Sequence, residues 1–392
     1  MKKFILVLIV LTVFATLVHA ELLTRGELRT RMALYYDIGE DMPTKSYTDT
    51  RFQMIFENAI SEQLSAVWKV QVGDYIWGSD FPVYGNNGID IKTQNLYLAF
   101  LCPVTGMNAK IGIQEWSDPR SLVLNDTFAP FAGIMLNKEF GDGIMVEVGT
   151  AKLDKHNIAK DKDWDLFFLN FEMDMFGINN IIGRWNTGKS IDAWIMPFLN
   201  YEMNDLYLHL LAAYNYGSYE EGAIVDGEME DVTNGGFAVS LNAKYNLEPV
   251  HLGLDFLFAS GDDGEDPTST SYFNSIIPFY ENGLEIFGKG VHSGASVGDV
   301  PPGNNGDGLM SIVLTGAYPM SEKMTLKGAF GLLNALEGDD TDMGIEFDLG
   351  MSYMLYENLS FDLVGAMAMP GKYYGEDLDN TMALVSKFMY RF

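Results

Sequence analysis

The sequence predicts an all-β fold: a transmembrane antiparallel up-and-down β-barrel of about 18 strands, with 16 as the alternative count. Three observations carry this. Apolar residues recur with period 2 along most of the chain. The connections between these segments are alternately short and long. The final segment, 380–392, reads as an aromatic-rich strand. A barrel spreads its apolar side chains as every second residue on a lipid-facing wall, so its mean hydropathy stays near zero. Here that value is +0.02, although 47% of residues are hydrophobic and 13% aromatic. After residue 20 no apolar run approaches the ~20 residues that a membrane helix needs.

Residues 1–20 read as a secretory signal peptide, with Lys2 and Lys3, an apolar run from Phe4 to Val18, and the small-residue cleavage site Val18-His19-Ala20. Residues 21–392 then form a single barrel domain. Its strands are expected near 22–36, 50–59, 64–73, 91–101, 107–115, 130–140, 144–153, 163–173, 179–186, 191–203, 206–216, 236–245, 250–259, 309–318, 324–333, 344–355, 359–368 and 380–392. The clearest alternation runs through Phe237–Tyr245 and Val250–Phe258. In 359–368, Leu359, Phe361, Leu363 and Met367 face one way, and Ser360, Asp362 and Ala366 the other. Alternation is blurred near 130–140, 163–173 and 179–203.

Every second connection is short and built of turn residues: Gly141-Asp-Gly143, Asn204-Asp205, Asn246–Pro249, Pro319–Lys323 and Tyr356–Asn358. The others are mostly long and polar: 37–49, 74–90, 116–129, 154–162, 217–235, 260–308, 334–343 and 369–379. The short link 187–190 is the exception. Tight periplasmic turns and longer extracellular loops produce this parity. Tyr35, Tyr36, Trp68, Trp77, Trp116, Trp164, Tyr214, Tyr216, Tyr245, Tyr318, Tyr353 and Tyr390 fall near strand ends, as an aromatic girdle does.

In the last strand Met382, Leu384, Phe388, Tyr390 and Phe392 share a lipid-suited face, opposite Thr381, Ala383, Lys387 and Arg391. This resembles the closing strand of bacterial outer-membrane barrels, whose signature is a terminal Phe with aromatics two and four residues earlier. The resemblance implies that Phe388, Tyr390 and Phe392 form the signal read by the barrel-assembly machinery. It also implies pairing with the first strand, in an outer membrane with lipid and lipopolysaccharide around it.

Strand parity assigns pore-lining residues. Arg25, Glu27, Arg29 and Arg31 share a face, joined by Arg51, Lys69, Lys110 and Arg184 and by the acids Asp255, Glu346, Asp348 and Asp362. The lining is thus mixed, with a basic cluster on the first three strands. The 260–308 loop is far longer than ordinary connections and too apolar for a solvated one. Tyr272, Phe273, Phe279, Tyr280 and Phe287 make 272–288 the constriction candidate, folded inward. The alternative is an external cap or a lipopolysaccharide contact. Other loops are acidic: Glu220, Glu221, Asp226, Glu228, Glu230 and Asp231 crowd 217–235, an acidic mouth that concentrates cations. Asp262, Asp263, Glu265 and Asp266 are a weak Ca²⁺ candidate without EF-hand spacing. No other metal and no cofactor is implied.

The formal charge of −29 argues against nucleic-acid binding. Cys102 is the only cysteine, so no intramolecular disulfide forms. Gly183-Arg-Trp-Asn-Thr-Gly-Lys-Ser190 fits a phosphate-loop string, but a strand follows it rather than the required helix. Gly294-Ala-Ser-Val-Gly298, near His292, fits a nucleophile-elbow string but lies in a glycine-rich loop. An enzyme is therefore not expected. Lys110-Ile-Gly-Ile-Gln-Glu115, Asn95-Leu-Tyr97, and Ala259-Ser-Gly-Asp262 followed by Phe273 resemble strand and loop patterns of the alginate-export-like and related substrate-porin families. The resemblance implies a transport barrel. The expected function is a porin passing small hydrophilic solutes or ions; the alternative is a structural or adhesive barrel. A homo-oligomer is left open.

Overall fold

The computed structural model describes residues 21–36, 44–77, 91–125, 131–141, 143–154, 163–185, 190–225, 228–288, 300–376 and 378–392. The signal-peptide segment and the nucleophile-elbow string lie outside them. In chain order the strands are β1 (Glu21–Tyr36), β2 (Lys45–Ser61), β3 (Leu64–Ile76), β4 (Ile91–Leu101), β5 (Asn108–Gln114), β6 (Phe131–Phe140) and β7 (Ile144–Asp154). Next come β8 (Asp163–Glu172), β9 (Phe176–Trp185), β10 (Ser190–Met203), β11 (Leu206–Val225), β12 (Glu228–Leu247) and β13 (Val250–Ala259). The two-residue β14 (Ser269–Thr270) sits inside the long loop. The series ends with β15 (Leu309–Ser321), β16 (Met324–Asn334), β17 (Asp342–Tyr356), β18 (Leu359–Pro370) and β19 (Thr381–Arg391).

Apart from β14, each strand pairs antiparallel with its chain neighbours, and β19 pairs with β1, from Glu27↔Arg391 to Tyr36↔Met382. Eighteen strands therefore close into a barrel, which settles the count against 16. Closure satisfies every strand's backbone groups within the sheet, the condition for a β-structure in lipid. The tight links gather at one end; Asn204 turns the β10–β11 link at φ 52, a conformation asparagine tolerates.

The alternating pattern sorts the wall. Outward residues are apolar and solvent-accessible in the isolated chain, including Leu28, Leu98, Ile182, Leu314 and Leu349. Exposed outward aromatics form two bands: Trp68, Phe140, Phe176, Tyr245, Tyr318, Tyr353 and Tyr390 toward the tight-turn end, and Tyr36, Trp77, Tyr214 and Tyr216 toward the loop end. Two expected girdle members belong elsewhere. Tyr35 is 1% exposed and points inward beside Tyr47, and Trp116 packs against Phe168 inside the barrel. The Trp164 side chain lies outside the described residues.

The connection expected over 217–235 is instead the top of one long hairpin. β11 and β12 pair on to Val225↔Glu228, with a register shift after Tyr219. Polar strands beyond the lipid band lack the apolar alternation that marks a strand in sequence, so they read as loop.

Candidate functional site

The interior begins with the charged residues of β1–β3. Arg29 Nη2 donates to Asp49 Oδ1 at 2.9 Å and to Asp74 Oδ1 at 2.5 Å, and Arg31 Nε to Asp49 Oδ2 at 2.7 Å. Arg51 pairs with Glu27 at 2.8 Å, Lys69 with Glu115 at 2.7 Å, and the more exposed Arg25 with Glu57 at 3.8 Å. Lys110 lies over the Tyr97 ring, and Lys387 reaches Asp362 at 3.2 Å. The expected basic row is therefore largely a ladder of ion pairs, its acids interleaved on β1–β3 except for Glu115, which follows β5. Asp49 and Asp74, which hold three of these contacts, were not singled out in the sequence.

Arg184 is a correction. It pairs across β9–β10 with Ile191, which is 53% exposed, and lies beside outward Ile182. Residues paired across strands share a face, so Arg184 points outward, in a row with Lys152 and Asp165. A glycine before it and an indistinct alternation around 179–186 had hidden the parity.

Among the described residues, two loops fold into the lumen. Residues 273–287 lie inside, with Phe273, Ile276, Tyr280, Leu284, Ile286 and Phe287 buried, and Tyr272 and Phe279 half-buried. This strap is fixed at four points of the wall. Trp194 Nε1 on β10 donates to Asn274 O (2.9 Å), and Asn274 N donates to Asn215 Oδ1 on β11 (3.0 Å). The Tyr280 hydroxyl donates to Asp255 on β13. On β17, Glu346 accepts the N–H groups of Glu285 (2.9 Å), Ile286 (2.7 Å) and Phe287 (2.7 Å), and Asp348 also accepts from Glu285 (2.9 Å). Burial, with Asp255 beside it, holds the Tyr280 phenol well above its ordinary pKa, so it stays a donor.

The second loop, between β5 and β6, was expected among the polar external connections. It turns inward instead, and Leu122, Val123 and Leu124 are fully buried. Their amides are satisfied by one side chain: Asp118 Oδ1 accepts from Arg120 N (3.1 Å) and Leu122 N (3.0 Å), and Oδ2 from Val123 N and Leu124 N (both 2.9 Å). Arg120 crosses to Asp255 on β13 and to Ser240 Oγ on β12 (3.0 Å), about seven places around the ring from β6. The loops join through Val123 O, which accepts from Ile276 N (2.9 Å) and Ile277 N (3.0 Å), and through Asn125 N to Ile277 O (2.8 Å). The sequence did hold a signal: an apolar triplet behind Asp118-Pro119 in an otherwise polar connection.

Below the loops, toward the tight-turn end, cavities remain, among them a polar one of about 640 Å³ and one of about 440 Å³ with a mixed lining, with Lys244 on the wall of both. Among the described residues no three metal-binding side chains gather. The Ca²⁺ candidates close local turns: Asp263 Oδ1 accepts from Glu265 N (3.1 Å), Asp266 Oδ1 from Thr268 N (2.9 Å), and Asp262 Oδ1 from Ser271 Oγ (3.3 Å). The phosphate-loop string begins on β9 and ends on β10, strand on both sides.

Glu346→Ala should leave the buried amides of Ile286 and Phe287 unpaired, each costing about 1–3 kcal/mol, with Glu285 N held by Asp348 alone. Exchange of the 285–287 amides, followed by mass spectrometry, should then quicken at least about tenfold. Glu346→Gln, which keeps one acceptor oxygen, should fall between; unchanged protection in the alanine variant counts against the anchor.

No protein-family model matches the chain, and no curated protein does. Solved structures match nearly all of it. OccAB4 of Acinetobacter baumannii is 10% identical, covering 95% of this chain and 98% of its own, with a TM-score of 0.60. A BenF-like porin from Pseudomonas fluorescens Pf-5 is 10% identical over 95% and 98%, at 0.58. OpdK of Pseudomonas aeruginosa, solved with vanillate, is 13% identical over 94% and 99%, at 0.55. The chain shares the closed antiparallel barrel fold of these porins.

Proposed function

We propose that the protein is a bacterial outer-membrane porin that passes small hydrophilic solutes or ions through a water-filled lumen narrowed by two inward loops. One observation carries this reading: an eighteen-strand barrel with a polar, ion-paired inner wall, whose interior is narrowed by anchored loops and yet keeps cavities beneath them that charged and polar side chains line. Barrels of this width enclose an aqueous channel unless something fills it. The tight-turn end is then periplasmic. The charged wall sets ion selectivity, and exposed Glu228, Glu230 and Asp231 at the loop end concentrate cations there. Lipid and lipopolysaccharide surround the outer wall, and the barrel-assembly machinery reads Phe388, Tyr390 and Phe392. The vanillate bound by OpdK makes a monocarboxylate a natural comparator among test solutes.

Refolded protein in planar bilayers should give stable ion-current steps, with cations favoured in a salt gradient. A heat-modifiable barrel that inserts and stays electrically silent would turn the reading toward an adhesive surface barrel.

A further inference from the structure

The larger cavity is lined by a concentration of carboxamides. Its roof is the inward loop from Trp116 to Ser121, and its sides are the inner faces of β6–β12 near the tight turns. Five asparagines reach it: Asn137, Asn170, Asn179, Asn200 and Asn242, from five different strands. An anion asks only for donors and a cation only for acceptors. A carboxamide offers both, which is what a hydroxyl group requires.

The contacts already made show what remains. Asn170 is spent, its Nδ2 on Glu147 (2.9 Å) and its Oδ1 on Asn180 N (3.0 Å). Asn242 uses Nδ2 on Asp255 (2.9 Å), leaving its carbonyl oxygen, and Asn137 accepts from Asn108 through Oδ1 (3.2 Å), leaving its NH₂. Asn200 Oδ1 takes a 2.5 Å hydrogen bond from His209 Nδ1, which fixes the proton on Nδ1 and makes Nε2 a lone-pair acceptor. That Nε2 is buried with no partner, in a residue only 5% exposed that lines the cavity. Trp116 and Tyr207 add aromatic surface. The Trp116 indole N–H is turned away onto Glu147 (3.1 Å), and Lys244 rests 5.8 Å from the Tyr207 ring centre. Glu147 and Glu172 oppose an anion, and Lys244 opposes a simple cation.

We propose that this chamber is a binding subsite for a neutral polyhydroxylated solute, a sugar of one or two rings. Its hydroxyls exchange hydrogen bonds with Asn137, Asn179, Asn200, Asn242 and His209 Nε2, and its apolar face lies on Trp116 or Tyr207. The volume suits such a ligand, since small-molecule sites span about 300–1,000 Å³. The proposal rests on the porin reading and narrows its substrate class.

Maltose is the probe, added to single channels in a planar bilayer, with benzoate and lysine as anionic and cationic comparators of similar reach. Maltose should interrupt the ion current in a concentration-dependent way, more strongly than either comparator. Asn179→Leu and His209→Phe should each raise the half-blocking concentration about fivefold, the factor equivalent to one lost neutral hydrogen bond. Current steps without maltose block, stronger block by benzoate or lysine, or unchanged block in both variants overturns the sugar subsite and leaves the channel standing. Absence of any steps overturns both.

Discussion

Deleting residues 272–288 and joining the ends with a short Gly-Ser linker is expected to at least roughly double the single-channel conductance. The strap fills lumen that an eighteen-strand barrel otherwise leaves to water. Its buried side chains, Phe273, Ile276, Tyr280, Leu284, Ile286 and Phe287, pack against wall residues such as Trp194, Leu257, Val313 and Leu333 rather than against lipid. The deletion also removes the partner of the second loop, because Val123 and Asn125 hydrogen-bond to strap residues 276 and 277. Arg120 keeps its contact with Asp255, so the second loop should stay docked but fluctuate, adding open-channel noise to the larger mean current. The barrel itself should persist, since none of the barrel's strand pairs includes the strap, and even the two-residue β14 lies before it at Ser269–Thr270. Heat-modifiable gel mobility checks that persistence independently of current. An unchanged conductance from a folded deletion variant would mean that the narrowest section lies elsewhere.

How far the sequence disclosed this arrangement depended on what each residue had to satisfy. Lipid-facing strands must alternate, so their positions could be read nearly to the residue. Met324–Asn334 and Val250–Ala259 match the expected 324–333 and 250–259. Where a strand rises past the lipid, no outer face need be apolar, and the β11–β12 extension passed as an acidic loop. The 272–288 strap was legible because apolar residues in a long loop must be buried somewhere. The loop at 116–125 was not: its apolar run is only Leu122 to Leu124, and its inward turn depends on Asp118 gathering four amides, a local geometry that spacing does not reveal. The basic residues of β1–β3 were legible by parity, but their pairing with Asp49 and Asp74 was not, because cross-strand register is set by the whole barrel. The asparagine chamber was the least visible. Its five amides come from five strands that meet only once the barrel has closed.

Gly26→Val is expected to block that closure, with loss of most of the protein from the membrane fraction. Gly26 lies on the outward face of β1 at the seam, where its N–H donates to Phe392 O (2.8 Å) and its carbonyl accepts from Phe392 N (3.1 Å). A Cβ there would sit 2.4 Å from Gln53 O and 2.8 Å from Phe392 Cζ, and the first of these is backbone that cannot swing aside. Overpacking of this kind typically costs 1–3 kcal/mol, and here it falls on the one strand pair that turns an open sheet into a barrel. The Phe392 ring, stacked on Tyr390 at 5.7 Å and on Phe52 at 6.1 Å, must leave its place for any side chain at residue 26. Phe392→Ala should also lower membrane levels, but less, because it removes the ring and keeps the backbone bonds. The two effects share a contact, so they should not add: in the double variant the ring clash is gone, and only the Gln53 conflict remains. Normal levels of Phe392→Ala would show that this aromatic has no part in assembly, and strict additivity of the pair would show that the ring clash does not carry the Gly26→Val effect.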